Sequence, residues 1–385
     1  MTEIKKENKS MSNVPNLRFP EFKGEWEVKK LGEVATNKSV KYNPINATSS
    51  IRCIELEHLA SQTGELLGYI DGSKSGSIKN VFNEGDVLFG KLRPYLKKHL
   101  QAPFDGVCSS EIWVLKGTNI SNDFLYRIIQ TNSFIDLANQ SSGSKMPRAD
   151  WNVVENGLFS IPSLLEQQKI ASFLSLIDER ISTQSKIILR LESLIQNLRD
   201  KIFKQNLRFK TNKELDFPNW ENKSLGEICE KKSSSISANK IEDNFGEYII
   251  YGASGVLKKV DFYEEKSDYI SIVKDGSGVG RLFYCKGKSS VLGTMDIIKP
   301  LANTNTYFLF YLLSNIDFTK FVTGSTIPHI YFKDYKNENF GIPSIEEQTK
   351  IAVFLSQIDD KIEIEKQLLI QYENQKNYLL QNLFI

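Results

Sequence analysis

The stretch that decides the fold is IPSLLEQQKIASFLSLIDERI, starting at Ile161, because it returns 181 residues later as IPSIEEQTKIAVFLSQIDDKI, starting at Ile342. The register holds without a gap through Phe203 and Phe384. Each copy opens Pro-Ser-x-x-Glu, with Ser163 and Glu166 in the first and Ser344 and Glu347 in the second. That spacing predicts a capping box, in which the serine oxygen takes the N3 amide proton and the glutamate reaches back to the serine amide. A seven-residue apolar beat follows. Leu174, Ile181, Ile188, Ile195 and Ile202 hold one seam position, and Ile170, Ile177, Leu191 and Leu198 hold the other. The second copy repeats it with Leu355, Ile362, Leu369 and Leu383, and with Ile351, Ile358, Tyr372 and Leu379. An a/d pattern sustained this far predicts two long helices that bury a narrow stripe. Gln184 and Glu365 interrupt the same seam position in both copies, and Lys376 interrupts once more; polar seam residues cost stability and fix register. Two unrelated amphipathic core helices would leave the shared text and the shared cap unexplained.

Connectivity orients the pair. Only Leu207–Lys213 separates the first helix from the next folded segment, and that segment runs up to Ile342. The second helix therefore begins where the first stops, and a compact pairing is antiparallel. At 1.5 Å per residue each helix is about 60 Å long.

The 385 residues suit two domains plus connectors, and a composition of 40% hydrophobic and 25% charged residues is that of a soluble globular chain. No run has the length of a membrane span, and MTEIKKENKS lacks the apolar core of a signal peptide. Cys53, Cys108, Cys229 and Cys285 stand far apart, as expected of reduced thiols in a cytoplasmic protein. The net charge of +2 argues for no partner by itself, since a protein acting alone on DNA is usually more basic.

The polar residues 1–14 are expected to form a disordered tail. A first lobe spans 15–160, a first spacer helix 161–206, a second lobe 207–341 and a second spacer helix 342–385. Leu17–Val34 (LRFPEFKGEWEVKKLGEV) is echoed by Leu215–Ile228 (LDFPNWENKSLGEI), which predicts a shared lead-in to each lobe. Short β-type runs follow: SIRCIELEHL, GELLGYI, DVLFGKL and GVCSSEIWVLK in the first lobe, and EYIIYG, DYISIVK, GRLFYCK and SSVLGTMDII in the second. One helix is predicted over Asn122–Asn139 and its counterpart over Thr306–Val322. Each lobe closes with Gly-Ser-x-x-Pro, at Gly143–Pro147 and Gly324–Pro328. The expected class is α+β: two mixed α/β lobes and two long antiparallel coiled-coil helices, related by a pseudo-twofold internal repeat. The frames agree and the middles differ, which suits two heads that recognise different things.

The doubled IPS-x-x-EQ-x-KIA-x-FLS opening, the run GDVLFGKLRPYLKK (Gly85–Lys98) and the Gly-Ser-x-x-Pro turns closely resemble the specificity subunit of type I restriction–modification systems. The resemblance implies that each lobe is a target-recognition domain reading one half of a split, asymmetric DNA sequence. It implies spacer helices that hold the lobes apart and dock two methyltransferase subunits, with restriction subunits joining that core. S-adenosylmethionine and ATP with magnesium are then expected in the partners and none in this chain. The spacer and docking positions it points to are Leu174, Ile177, Ile181, Ile188, Leu355, Ile358, Ile362 and Leu369.

The chemistry of the loops is compatible with double-stranded DNA as a ligand. Gly90–His99 places Lys91, Arg93, Lys97 and Lys98 and a histidine after a strand, where they can meet phosphates or, for Arg93, a guanine edge; a solvated surface loop is the plain alternative. The first closing turn offers Lys145 and Arg148, the second Ser325, Thr326 and His329, beside backbone amides that suit phosphate; each also reads as a simple connector. Lys274–Arg281 offers Lys274, Ser277 and Arg281, although Asp-Gly with further glycine is first of all hairpin chemistry. As a nucleotide loop it lacks Gly-Lys-Ser/Thr and a following helix pattern.

No Asn-Pro-Pro-Tyr/Phe or Asp-Pro-Pro-Tyr tetrapeptide occurs, and Glu264-Glu265-Lys266 has no upstream Pro-Asp partner. His58, His99 and His329 stand apart from each other and from cysteine, so no metal site is expected. The sequence thus favours a binding subunit without an active site. A stand-alone DNA-modifying enzyme, and a coiled-coil adaptor whose lobes bind proteins, remain the alternatives; modification by the chain alone supports the first, and absent salt-dependent DNA affinity supports the second.

Overall fold

The computed structural model describes residues 13–46, 49–140 and 146–385. Of the tail expected over 1–14, residues 1–12 lie outside the described residues. Asn13 is tied down: its Oδ1 accepts from Ser160 Oγ at 2.6 Å and its carbonyl from Trp26 N at 2.9 Å.

The heptad text forms two uninterrupted helices, Leu164–Phe203 and Ile345–Asn382. The chain divides into two compact units, one running to Ser185 and resuming over Leu368–Ile385, the other spanning Lys186–Gln367. Each unit holds one half of each long helix. In the first, Ile170, Leu174 and Ile177 share a core with Leu379, Leu380 and Leu383, and Asp178 pairs with Lys376 at 2.7 Å. In the second, Ile195 and Ile202 share a core with Ile351, Leu355 and Ile362, and Glu192 pairs with Lys366 at 2.6 Å. Within each unit, residues late in one helix meet residues early in the other, so the halves run antiparallel. Each fully buried Leu or Ile contributes about 1.5–3 kcal/mol. Leu174, Ile177, Ile188, Leu355 and Ile362 are buried, while Ile181, Ile358 and Leu369 are half-buried.

Each unit carries the same frame around its lobe. A strand leading in pairs with the strand before the long helix, Glu27–Lys30 with Leu158–Ile161 and Glu221–Ser224 with Asn339–Ile342. A four-stranded antiparallel sheet follows in the same order: Ala35–Thr36, Ile112–Gly117, Val87–Gly90, His99–Gln101 in the first unit, and Cys229–Ser233, Met295–Pro300, Tyr269–Val273, Leu282–Cys285 in the second. The remaining sheet differs. The first lobe has five short strands, Lys41–Tyr42, Lys79–Phe82, Gly106–Cys108, Arg52–Ile54 and Ile70–Asp71. The second has three, Gly255–Val260, Tyr248–Gly252 and Ser289–Val291. Each contains one parallel pair.

Three expectations need correction. The helix expected over Asn122–Asn139 is two, Asn122–Ile128 and Asn132–Ala138. Thr131 breaks it: its hydroxyl donates to Ile128 O at 2.7 Å and accepts from Phe134 N at 3.3 Å, which ends one helix and caps the next. Its counterpart stops at Leu313, and a 3₁₀ turn, Phe318–Phe321, follows under an Asp317 cap. The capping boxes are half made. Ser163 and Ser344 accept from the amides of Glu166 and Glu347 at 3.4 Å, but both glutamates turn away to arginines. Glu166 takes Arg18 through two bonds of 2.7 and 2.8 Å, and Glu347 takes Arg208 at 3.2 and 2.8 Å. Arginine wins because Glu166 and Glu347 are buried, and a buried carboxylate needs a cation more than an amide. The lead-in repeat keeps its strand and its Leu-Gly-Glu turn, Leu31–Val34 and Leu225–Ile228, and only its start is re-registered. Arg18-Phe19 is matched by Arg208-Phe209, since Phe19 meets Phe173 edge-on at 5.7 Å and Phe209 meets Phe354 at 5.4 Å.

Candidate nucleic-acid interface

In the first lobe, strand Val87–Gly90 runs into a loop stitched to the closing turn. Lys91 N donates to Glu111 O, Arg93 N to Pro147 O at 2.7 Å, and Ala149 N to Lys91 O. A 3₁₀ turn, Pro94–Leu96, is flanked by two residues in the left-handed region, Arg93 at φ +53° and Lys97 at φ +49°. The loop closes where Gly90 N meets Lys98 O at 2.9 Å. Arg93 and Tyr95 are exposed at its tip.

The second lobe builds the same loop from other residues. Lys274 N donates to Thr294 O, Gly276 N to Pro328 O, and Ile330 N to Lys274 O. The corners are Gly276 at φ +91° and Gly280 at φ +83°, and closure is Val273 N to Arg281 O at 2.9 Å. Position by position, Lys91 matches Lys274, Arg93 matches Gly276, Lys97 matches Gly280 and Lys98 matches Arg281, a constant shift of 183. A left-handed L-residue costs roughly 1–2 kcal/mol, which glycine avoids. At Gly280 a side chain is also barred, since an added Cβ would stand 2.9 Å from Phe318 Cβ; at Gly276 it meets nothing within 4 Å. The strand–Asp-Gly–strand stretch is the hairpin its text predicts, with Ile272 opposite Leu282.

The loop and the closing turn, far apart in sequence, therefore meet in both lobes. Bridges join Leu92 to Arg148 and Asp275 to His329. Not every candidate cation is available. Lys98 Nζ donates to Leu56 O at 2.7 Å, Lys274 lies 3.4 Å from Asp296, Arg148 pairs with Glu111 at 3.0 Å, and Arg281 donates to Ala253 O at 3.0 Å. Lys145 lies outside the described residues, as do Gly143 and Ser144. Ser277, Ser325 and Thr326 are exposed, and His329 sits 3.7 Å from Asp275. His99 is no part of this surface. It is buried, with Nδ1 3.2 Å from the Tyr126 hydroxyl, and desolvation pushes its pKa down to about 3, so it is a neutral core residue. All four cysteines are buried free thiols.

The lobes are fastened to the long helices by residues the repeat carries in register. Gln167 donates to Pro162 O and accepts from Ser121 N, the cap of the lobe helix; Gln348 donates to Pro343 O and accepts from Asn305 N, the equivalent cap. Deeper in, Asp178 holds Arg127 and Lys376, while Asp359 accepts from the Tyr311 hydroxyl at 2.6 Å. The doubled Glu-Gln was visible in the sequence. Its tertiary partners were not, because arginine and helix cap arrive from other segments. Of the seam positions expected to serve spacing and docking, Leu174, Ile177, Ile188, Leu355 and Ile362 pack within the chain, and Ile181, Ile358 and Leu369 are half-buried. The apolar side chains the long helices leave exposed include Leu165, Leu176, Leu189, Val353, Ile364 and Ile370.

The family model described as the type I restriction modification DNA specificity domain matches residues 23–193 and 218–374. The type I restriction enzyme EcoDI specificity subunit of Escherichia coli is 27% identical over 52% of this chain and 46% of its own. The MjaVIII specificity subunit of Methanocaldococcus jannaschii is 25% identical over 94% of this chain and 92% of its own. The chain thus aligns with under half of the bacterial relative and nearly all of the archaeal one. Among solved structures, the type I restriction–modification S subunit from M. genitalium superposes with a TM-score of 0.64 at 16% identity, covering 97% of this chain and 99% of that one. A chain from a study of complex assembly and conformational transition in a type I R-M system gives 0.55 at 20% identity, covering 92% and 96%. These structural likenesses concern the fold.

Proposed function

The chain belongs to the type I restriction modification DNA specificity family, and we infer that it is a specificity subunit reading a bipartite, asymmetric DNA target, one half per lobe. The observation that carries this reading is the doubled frame with unlike contents. Each lobe presents the same seven-residue loop against the same closing turn, yet the loops carry Lys-Leu-Arg-Pro-Tyr-Leu-Lys and Lys-Asp-Gly-Ser-Gly-Val-Gly. Like frames suit two copies of one partner, and unlike loops suit two different half-sites.

The partners of this reading are double-stranded DNA, two methyltransferase subunits and the restriction subunits of a cytoplasmic complex. S-adenosylmethionine and ATP with magnesium belong to those partners, and this chain directs their chemistry without performing it. The exposed apolar side chains of the long helices suit the subunit contacts, and the helices serve as the ruler between half-sites.

The test is to purify the chain with its methyltransferase partner and map methylation on genomic DNA, expecting a split, asymmetric motif. A four-residue insertion after Ile195 adds about 6 Å and keeps the seam nearly in phase. It is expected to change the gap and leave both half-site sequences intact. Modification by the chain alone, or half-sites that change while the gap does not, would overturn the reading.

A further inference from the structure

We propose that Arg93 is a specificity-determining residue that reads a guanine in the half-site of the first lobe; the assignment rests on the specificity-subunit reading above. The internal repeat supplies the control. Gly276 occupies the same corner of the same loop, also at positive φ (+91° against +53°) and with the same amide bond to a proline carbonyl. The loop therefore closes without any side chain there, and an L-residue in this conformation is unfavourable. Arg93 contributes nothing to closure that glycine does not.

What it contributes is a guanidinium on a fixed stem. Its amide is held by Pro147 O at 2.7 Å and its carbonyl accepts from Leu96 N at 2.9 Å. Among the described residues, no hydrogen bond or ion pair engages the guanidinium, whereas Lys98 and Arg148 beside it are engaged. Lys91 and Lys97 of the same loop, both half-buried, already offer charge for phosphate, which needs little orientation. A planar fork on a pinned corner suits the O6 and N7 acceptors of guanine.

The experiment maps methylation by the full chain with its methyltransferase partner for the wild type, Arg93→Gly, Arg93→Lys and Gly276→Arg. Arg93→Gly is expected to make one G·C position of one half-site degenerate, with discrimination falling about tenfold to a hundredfold. The other half-site and the gap stay unchanged, and the melting temperature stays equal or rises because glycine prefers the corner. Arg93→Lys keeps the charge but not the fork and is expected to lose the same base. Gly276→Arg, at a corner with open space, is expected to alter only the other half. A complete motif in Arg93→Gly overturns the proposal. So does uniform weakening across sequences with the base retained in Arg93→Lys, which would make Arg93 a phosphate contact. So does a Gly276→Arg effect on the same half. A wild-type complex that marks no split sequence overturns the specificity reading itself, and the Arg93 assignment with it.

Discussion

The two lobes grip their long helices at the same point by different chemistry. Asp178 and Asp359 are equivalent residues of the repeat, and Arg127 and Tyr311 stand at the same position of their lobe helices, counted from the caps Ser121 and Asn305. The first grip is ionic. Although burial favours the protonated acid, Lys376 and Arg127 hold Asp178 below the usual carboxylate range. The second grip is a hydroxyl bond: desolvation raises Asp359 above that range, against the opposing pull of Tyr311 and Arg199. The repeat fixes where the lobe is held, and the lobe decides how.

The largest contrast comes from removing the aspartates. Asp178→Ala strands Arg127, which is 3% exposed, and Lys376, at a cost of about 3–5 kcal/mol. Asp359→Ala leaves chiefly the Tyr311 hydroxyl unsatisfied, for about 1–2 kcal/mol. Urea unfolding of the two variants measures the difference, and equal losses would erase the distinction.

The arginine bonds at the helix starts come next. Arg18→Ala takes the cation from Glu166, while after Arg208→Ala Glu347 keeps the Trp220 indole N–H at 3.1 Å. A loss of about 2–3 kcal/mol is expected for the first and about 1 kcal/mol less for the second. The same denaturation series checks the order.

Acid separates the grips with opposite signs. The depressed pKa of Asp178 gives stability that is present above the unfolded carboxylate value and lost as pH falls through the folded one. The raised pKa of Asp359 gives a contribution that is present below the unfolded value and lost as pH rises through the folded one. Asp359→Asn should therefore flatten the fall in stability above about pH 4, the unfolded aspartate range. A pH–stability profile indistinguishable from wild type would remove the raised acid from the account.

The smallest effect concerns the loop lysines. Lys97→Ala is expected to lower the salt slope of DNA binding by roughly one counterion, whereas Lys98, held by Leu56 O, should change it less. Affinity titrations across salt concentrations distinguish the two, and equal slopes would mean that the internal bond does not restrain Lys98.

The 181-residue recurrence of Pro-Ser-x-x-Glu-Gln and its heptads contains the two helices, their antiparallel sense and the doubled architecture, because apolar spacing and chain connectivity are written along the chain itself. The Asp-Gly hairpin is equally local. What only the tertiary structure decided was the partner of each polar residue. Glu166 meets Arg18 instead of its own cap, Thr131 splits a helix that looked continuous, His99 is buried, and Lys91–Lys97 meets a turn more than fifty residues away. A buried charge takes the strongest partner the fold delivers, and no local spacing records which segment will deliver it.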